Sequence, residues 1–298
     1  MAWTPPRLAA ALSVGAALAA PPAQALDLDA LWNFRDPAGS EQRFREALAT
    51  ARGDDALVLQ TQIARSLGLR RQFERAREVL SAMQPQLEGA GAEPRVRHAL
   101  EWGRSWASAT HPPEALTADA KREARAAWER ALALARQARL DGLAIDAIHM
   151  FAFIDTAPAD QERYAREALT VSVASNQPAA RRWEASIRHN LGYALHQQGR
   201  HDDALAQFRQ SRVLREAAGN PGGERVARWM IAWTLRAMRR GDEALEMQLA
   251  LERDHAAAGT PDAYVFEELE ILYRERGDAE RARRYADKLA ALRQETPK

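Results

Sequence analysis

The sequence of 298 residues contains no cysteine. Without cysteine the chain can form neither a disulfide bond nor a thiolate metal site, and it has no cysteine nucleophile. An excess of one charge is also missing, because 42 cationic residues stand against 41 acidic ones. This balance argues against a protein dedicated to nucleic acid, whose affinity depends on a basic surface. Glycine (16) and proline (14) are too few for a collagen-like or low-complexity chain.

Long apolar runs are scarce as well. The run at residues 8–20 is 13 residues long, which is shorter than the roughly 20 residues that a transmembrane helix needs. Arg7 precedes this run, and Ala23 and Ala25 follow it at the small-x-small spacing of a signal-peptidase site. We therefore expect a signal peptide over residues 1–25 and a periplasmic or secreted protein without a membrane span.

Helical periodicity runs through the rest of the chain. Leu191 and Leu195, for example, lie on one face of a helix. Gly199 interrupts this helix, and Ala204 and Phe208 form the apolar face of the next one. Two short helices joined by a tight turn make a hairpin, which needs neighbours to cover its apolar faces. The chain is therefore expected to be all-α.

The same segment resembles a tetratricopeptide repeat, whose first helix carries Leu-Gly-x-x-Tyr and whose second helix carries Ala-x-x-x-Phe. Here Leu191, Gly192 and Leu195 match the first helix, and Ala204 and Phe208 match the second. The intervals between successive matches exceed the basic period of about 34 residues, so the chain is similar to family members with longer units. The small position of the second helix recurs at Ala76, Ala124, Ala204, Ala244 and Ala282. In the unit that matches least well, Gln161 occupies this position and His149 occupies the small position of the first helix.

The resemblance implies a right-handed α–α superhelix, a solenoid of about six helix hairpins plus an N-terminal helix. Small residues such as Gly192 and Ala204 are expected where two helices approach closely. An insertion over residues 110–121 separates one pair of helices. One domain is expected over residues 26–298, with units at approximately 57–93, 96–139, 142–176, 183–218, 224–258 and 262–292 and the extra helix at 40–52.

Motifs for catalysis are missing. The sequence has no phosphate-binding loop, dinucleotide-binding fingerprint, zinc-protease motif or nucleophile elbow. His189 and His196 share a helix face, but a metal would need further ligands, so a hydrated wall is expected there. Glu267, Glu268 and Glu270 are expected on a solvated helix face. We therefore expect no enzymatic activity, no metal and no cofactor.

The family resemblance also implies that the first helices line a concave groove that binds a peptide or protein segment. Asn190 matches the central Asn of the family's carboxylate clamp, but Asp146 and Met150 replace the preceding cation and Asn, so a receptor for chaperone C-termini is not expected. For Trp229 and Trp233, a groove position and a core position are equally compatible with the pattern. The candidate groove residues are Arg65, Arg104, Asp146, Met150, His189, Asn190, Tyr193, Trp229 and Trp233.

The sequence thus predicts a non-enzymatic scaffold of the cell envelope that binds a peptide segment of a partner protein. An alternative is a structural subunit that assembles with itself or with an envelope complex through its convex face or its ends. A third hypothesis, an enzyme with a site on the 110–121 insertion, has no motif in its favour. Mutations in the groove separate the first hypothesis from the second, and the oligomeric state stays open.

Overall fold

The computed structural model describes residues 26–295, so the predicted signal peptide at 1–25 lies outside the described residues. Within this part the chain is helical and has no β-strand, which confirms the predicted all-α fold. None of the described helices is long and apolar enough to cross a membrane. The helices are α1 (Leu28–Leu31), α2 (Pro37–Leu48), α3 (Gly53–Leu69), α4 (Phe73–Met83), α5 (Ala92–Trp106), α6 (Ala118–Gln137), α7 (Asp141–Met150), α8 (Pro158–Ala174), α9 (Pro178–Arg181), α10 (Glu184–Gln197), α11 (His201–Ala217), α12 (Pro221–Ala237), α13 (Gly241–Ala257), α14 (Ala263–Glu275) and α15 (Ala279–Glu295).

The helices pack in consecutive pairs. α3 packs on α4, α5 on α6, α7 on α8, α10 on α11, α12 on α13, and α14 on α15. Each pair also packs on the next one, so that α3 contacts α5, α5 contacts α7, and α12 contacts α14. We call α3, α5, α7, α10, α12 and α14 the first helices, and the surface that they form the first-helix face.

Small residues lie at the closest helix contacts. A side chain on Gly103 would collide with Trp128, and one on Gly192 would collide with Phe208. Both aromatic side chains are fully buried. Because glycine adds no side-chain atom at these two positions, the helices can approach each other and the aromatic ring fills the space between them.

Four turns between paired helices share one backbone conformation. The residue five positions before the small position of the second helix has a positive φ in each of them. Glycine occupies this place at Gly199 and Gly277, both with φ 75°, whereas Arg71 and Arg239 occupy it with φ 60°. The left-handed region costs a residue with a Cβ about 1–2 kcal/mol, so two of the four turns are strained.

Two boundaries differ from the sequence-based expectation. The helix predicted over 40–52 is α2, which starts earlier because the Asp36 side chain accepts a hydrogen bond from the Gly39 N–H (2.9 Å). It also ends earlier, at the turn that leads into α3. The insertion predicted over 110–121 is shorter, because the Thr117 side chain caps the start of α6.

The prediction of a solvated acidic face on α14 is wrong for Glu268, although Glu267 and Glu270 remain partly exposed. Glu268 is only 4% exposed, because it lies one turn before the buried Leu272 on the side that faces α12. Its two carboxylate oxygens accept hydrogen bonds from Arg236 Nε and Nη2, both at 2.8 Å. This bidentate pair raises the pKa of Arg236 and ties α12 to α14.

Candidate binding surface on the first helices

Three cavities lie in a row along the first-helix face. The N-terminal cavity (≈ 210 Å³) lies among α3, α5 and α7. The middle cavity (≈ 420 Å³) lies among α7, α8 and α10, and the C-terminal cavity (≈ 410 Å³) lies among α10, α12 and α14. His149 lines the first two cavities and His189 the last two, so neighbouring cavities share one histidine each. Neighbouring cavities therefore meet at a shared side chain along the face.

Charged side chains from three helices form the wall of the N-terminal cavity. Arg104 pairs with Glu101 on its own helix and with Asp146 on α7. Both carboxylates are buried, at 4% and 5% exposure. Burial by itself would raise the pKa of Asp146, but Arg104 and the neighbouring Arg65 hold that pKa below its ordinary value. The charge of Arg104 is therefore already compensated inside the protein.

Arg65 has a different environment. Its guanidinium lies 3.8 Å from Glu101 and 4.0 Å from Asp146, and it makes no side-chain hydrogen bond to any residue that the structure describes. Burial, followed by repulsion from Arg104, lowers its pKa. Because a guanidinium carries five N–H donors, Arg65 retains unused hydrogen-bonding capacity at this cavity.

The loop after α5 closes one side of the N-terminal cavity. Ser108, Ala109 and Thr110 line the cavity, and Thr110 Oγ1 donates a hydrogen bond to the Gly68 carbonyl of α3 (3.2 Å). Trp183, which immediately precedes α10, lines it as well. The predicted insertion thus contributes its first residues to the first-helix face.

The middle cavity lies where the repeat pattern is weakest. His149 and Gln161 occupy positions that elsewhere hold small residues, and both side chains line this cavity. Asn190 Nδ2 lies 3.3 Å from His149 Nδ1 and Tyr193 is 42% exposed beside them. Polar and aromatic side chains are therefore presented together on α7 and α10.

An aromatic series continues from Tyr193 along the face. The Tyr193 and Trp233 rings are nearly parallel with their centroids 6.2 Å apart, and Trp229 follows Trp233 at 5.9 Å. His196 stacks on Trp233 at 3.5 Å, so this histidine packs on an indole and does not form the hydrated wall expected for it. Both tryptophans are half-buried, and each therefore packs against the core while keeping an accessible part.

Unpaired polar atoms surround the C-terminal cavity. His189, Arg225 and Trp229 line this cavity, and their atoms Nδ1, Nε and Nε1 are buried without a hydrogen-bond partner among the described residues. Burial, with a smaller contribution from Arg215, lowers the pKa of His189 to about 4, so its imidazole is neutral at pH 7. Buried polar atoms without partners are uncommon in proteins. Arg225 and Trp229 beside this cavity therefore each keep an N–H donor that no described residue uses.

The structure separates the predicted site residues into two groups. Asp146 and Met150 are buried at the N-terminal cavity, and Arg104 is engaged with two carboxylates, so Arg65 is the member of this group with unused donors. The second group lies along the middle and C-terminal cavities and the aromatic series. It consists of His189, Asn190, Tyr193, Trp229 and Trp233.

Some residues of the C-terminal cavity were missed from the sequence. Arg225, Val226, Tyr264 and His255 line it. Tyr264 is 67% exposed and Val226 48% exposed, and both lie in the early part of a first helix. The packing motif marks only the later turns of these helices, so only the exposed apolar character of the two residues could have indicated them.

No group of three or more histidine, cysteine, aspartate or glutamate side chains within residues 26–295 is arranged to hold a metal ion. Residues 183–252, from the start of α10 into α13, match the family model described as tetratricopeptide repeat. No protein of curated function matches the sequence.

Several solved structures resemble the fold. A signal transduction ATPase with numerous domains and a tetratricopeptide repeat sensor, from Pyrococcus horikoshii, aligns with a TM-score of 0.66 at 11% identity. The alignment covers 87% of this chain and 40% of that protein, so this chain spans less than half of its length. Aspartyl phosphate phosphatase F from Bacillus subtilis aligns with a TM-score of 0.54 at 14% identity, over 88% of this chain and 77% of the phosphatase.

NprR, in complex with its cognate peptide NprX, aligns with a TM-score of 0.52 at 12% identity, over 89% of this chain and 77% of NprR. At identities this low, these three likenesses establish the fold alone.

Proposed function

We propose that the chain is a member of the tetratricopeptide repeat family, whose model matches residues 183–252, and that it is a non-enzymatic scaffold that binds a peptide segment of a partner protein on its first-helix face. The observation that carries the proposal is the C-terminal cavity, where His189 Nδ1, Arg225 Nε and Trp229 Nε1 are buried without partners. Peptide carbonyl oxygens are suitable acceptors for the N–H groups of Arg225 and Trp229, which a bound peptide reaches when these side chains turn toward the cavity. NprR, which shares the fold, is a protein solved with a bound peptide.

The aromatic series supplies the second part of the proposed site. Tyr193, Trp229 and Trp233 present large, stiff rings with few rotatable bonds, which is the side-chain type that most often anchors a bound partner. Asn190 offers a donor and an acceptor and can pair with a peptide backbone of any sequence. The geometry therefore favours an extended segment with apolar side chains over a single small molecule.

We also propose that the protein acts in the cell envelope. This proposal rests on residues 8–25, where the apolar run and the Ala23 and Ala25 pair have the features of a cleaved signal peptide.

The binding proposal can be tested with peptides selected from a random library on the immobilised protein. Affinities of one selected peptide are then measured calorimetrically for the parent and for Asn190→Ala and Tyr193→Ala. Each variant should bind about tenfold more weakly, the effect of losing roughly 1.4 kcal/mol at an anchor position.

Val213→Ala is the matched control, because Val213 is 63% exposed on the second helix α11. Circular dichroism must show that all variants fold. If both variants bind like the parent while Val213→Ala binds more weakly, the second-helix face is the binding surface and the proposal is wrong.

A further inference from the structure

The chain's own N-terminal residues lie beside the N-terminal cavity, where they contact Arg65 in its wall and Arg182 next to it. We call residues 26–36, which precede α2, the N-terminal strap. Asp29 Oδ2 in the strap pairs with Arg182 Nη1 at 2.5 Å. Arg182 directly precedes Trp183, which lines the cavity. The strap therefore reaches from the first helix pair to the segment that leads into α10.

The second contact of the strap is with Arg65 on α3, against which its two aromatic side chains lie. The rings of Trp32 and Phe34 stack with their centroids 4.6 Å apart, and Arg65 Cζ lies 5.9 Å and 5.7 Å from them. Trp32 Nε1 also donates a hydrogen bond to Gln62 Oε1 on α3 (3.0 Å). Cation–π contacts thus cover a guanidinium that has no hydrogen-bond partner among the described residues.

We propose that the surface between Arg65 and Arg182, beside the N-terminal cavity, is a second peptide subsite, and that its ligand is a peptide segment with an acidic residue followed by aromatic residues three and five positions later. The strap shows this chemistry in Asp29, Trp32 and Phe34, and the ligand displaces it. The inference rests on the proposed peptide-binding function and specifies the ligand at the N-terminal end of the same face.

The residues Asp29 and Phe34 of the strap are loosely held, whereas Leu31 and Asn33 are bound to Arg43 and Ser40. No residue of α1 is buried, Phe34 is 61% exposed, and the Asp29–Arg182 pair is solvent-exposed on both sides. An exposed ion pair contributes little to stability. Asp29 accepts a hydrogen bond from Arg182 Nη1 alone, so a ligand carboxylate that meets Arg182 with both oxygens can form a second hydrogen bond that the strap does not make. A partner peptide therefore has contacts to gain beyond those it replaces.

The strap belongs to the same chain, so it competes with a free peptide for this subsite at a high effective concentration. For a short flexible linker this concentration is in the millimolar range. A free peptide with the same contacts is therefore mostly excluded from the unchanged protein. Weakening the strap should expose the subsite without altering the cavity itself, and this difference provides the test.

The probe is a fluorescein-labelled synthetic peptide with the sequence of residues 26–36, and its binding to the full chain is followed by fluorescence anisotropy. We expect the Trp32→Ala/Phe34→Ala double variant to bind the probe at least tenfold more tightly than the unchanged chain. Adding Arg182→Ala should reverse this gain, whereas adding Arg200→Ala, in the turn before α11, should leave it intact. A probe in which alanine replaces both aromatic residues should bind neither protein.

The proposal would be overturned if the probe bound the unchanged chain and the Trp32→Ala/Phe34→Ala variant with equal affinity. It would also be overturned if the gain in affinity persisted after Arg182→Ala was added. Trp32 also contacts the buried Phe44 edge-on at 4.9 Å, so Asp29→Arg serves as a second loosening variant that leaves this packing in place, with the same expectation. The library-selected peptide of the preceding section reports on Tyr193 independently. If the probe behaves as expected but Tyr193→Ala does not weaken binding of the selected peptide, only the proposed site around Tyr193 is wrong. If Tyr193→Ala weakens that binding but the probe does not behave as expected, only the strap proposal is wrong.

Discussion

Gly192 on α10 faces Phe208 on α11 so closely that a Cβ placed on Gly192 would lie 2.7 Å from Phe208 Cε1. Phe208 is fully buried, so its ring cannot move aside without disturbing the core between the two helices. We expect Gly192→Ala to lower the free energy of unfolding by about 1–3 kcal/mol through overpacking. Urea denaturation followed by circular dichroism measures this change.

The matched control is Gly68→Ala in α3. A Cβ on Gly68 would meet nothing within 4 Å, and alanine favours a helix over glycine by about 0.5–1 kcal/mol. The same substitution should therefore raise the free energy of unfolding at Gly68. If both variants lost stability equally, the close contact with Phe208 would not be the cause.

Replacing Glu268 tests how much its bidentate pair with Arg236, between α12 and α14, contributes to stability. Glu268→Gln keeps the shape of the side chain but removes the charge that Arg236 pairs with. Because Glu268 is 4% exposed, we expect the free energy of unfolding to fall by about 1.5–3 kcal/mol, the range for hydrogen bonds to charged groups. Chemical denaturation at constant salt measures the effect.

Glu267→Gln provides the comparison on the same helix. Its Oε2 lies 3.4 Å from Arg293 and both side chains are largely exposed, so the change should stay within about 0.5 kcal/mol. Equal losses for the two variants would mean that burial of Glu268 does not decide the strength of its pair.

The packing positions followed from the sequence because they obey a local rule. Gly192 must be small and Phe208 must be apolar because the two helices of their hairpin touch there. That requirement recurs in most units, so the pattern alone places these residues and predicts the fold. Nothing comparable constrains a residue that faces a ligand.

The charges at the N-terminal cavity show the limit of the pattern. Periodicity placed Arg104 and Asp146 on the same face, but their pairing depends on the distance between α5 and α7. The contact between Asp29 and Arg182 depends on the path of the whole chain. Contacts between such distant residues leave no trace in local periodicity, so the strap could not be predicted.

Acid should destabilise the protein before its carboxylates titrate. Burial lowers the pKa of His189 and of His196 to about 4 in the folded chain, against about 6.5 in the unfolded chain. Between these values the unfolded chain binds more protons, so stability is fully present above pH 6.5 and is lost as the pH falls toward 4. For His189 alone we expect a loss of about 1–2 kcal/mol between pH 7 and pH 5.

The measurement compares the free energy of unfolding of the parent and of His189→Gln at pH 7 and pH 5. The variant should lose less stability over this interval, because glutamine does not titrate. Between pH 7 and pH 8 the difference between the two proteins should stay constant. A parallel decline of both proteins to pH 5 would show that His189 takes up its proton equally in both states.

Export predicts a defined mature N-terminus. Ala23 and Ala25 have the spacing that signal peptidase accepts after the apolar run at residues 8–20. N-terminal sequencing of the protein produced in a bacterial host should therefore begin at Leu26. Ala25→Leu should leave the precursor uncut, since the enzyme requires a small residue there. An intact Met1 on the mature pool of the unchanged protein would contradict the prediction.

Arg239, in the turn between α12 and α13, has a φ of 60°, in the region where Gly199 has 75° in the turn between α10 and α11. The strain arises from the Cβ, which crowds the following carbonyl oxygen in the left-handed region. Arg239→Gly removes the Cβ and should raise the free energy of unfolding by about 1 kcal/mol, after the greater chain entropy of glycine has been subtracted. Thermal and urea unfolding both report this gain.

Arg239→Ala separates backbone strain from the loss of the arginine charge. Alanine removes the guanidinium and the long stem but keeps the Cβ, so the φ of 60° remains as costly as before. Its free energy of unfolding should therefore stay within about 0.5 kcal/mol of the parent, the usual range for an exposed substitution. If alanine stabilised the protein as much as glycine, repulsion between Arg239 and its charged neighbours would be the source of the gain. In that case the backbone freedom of glycine would not explain why Gly199 occupies the equivalent turn.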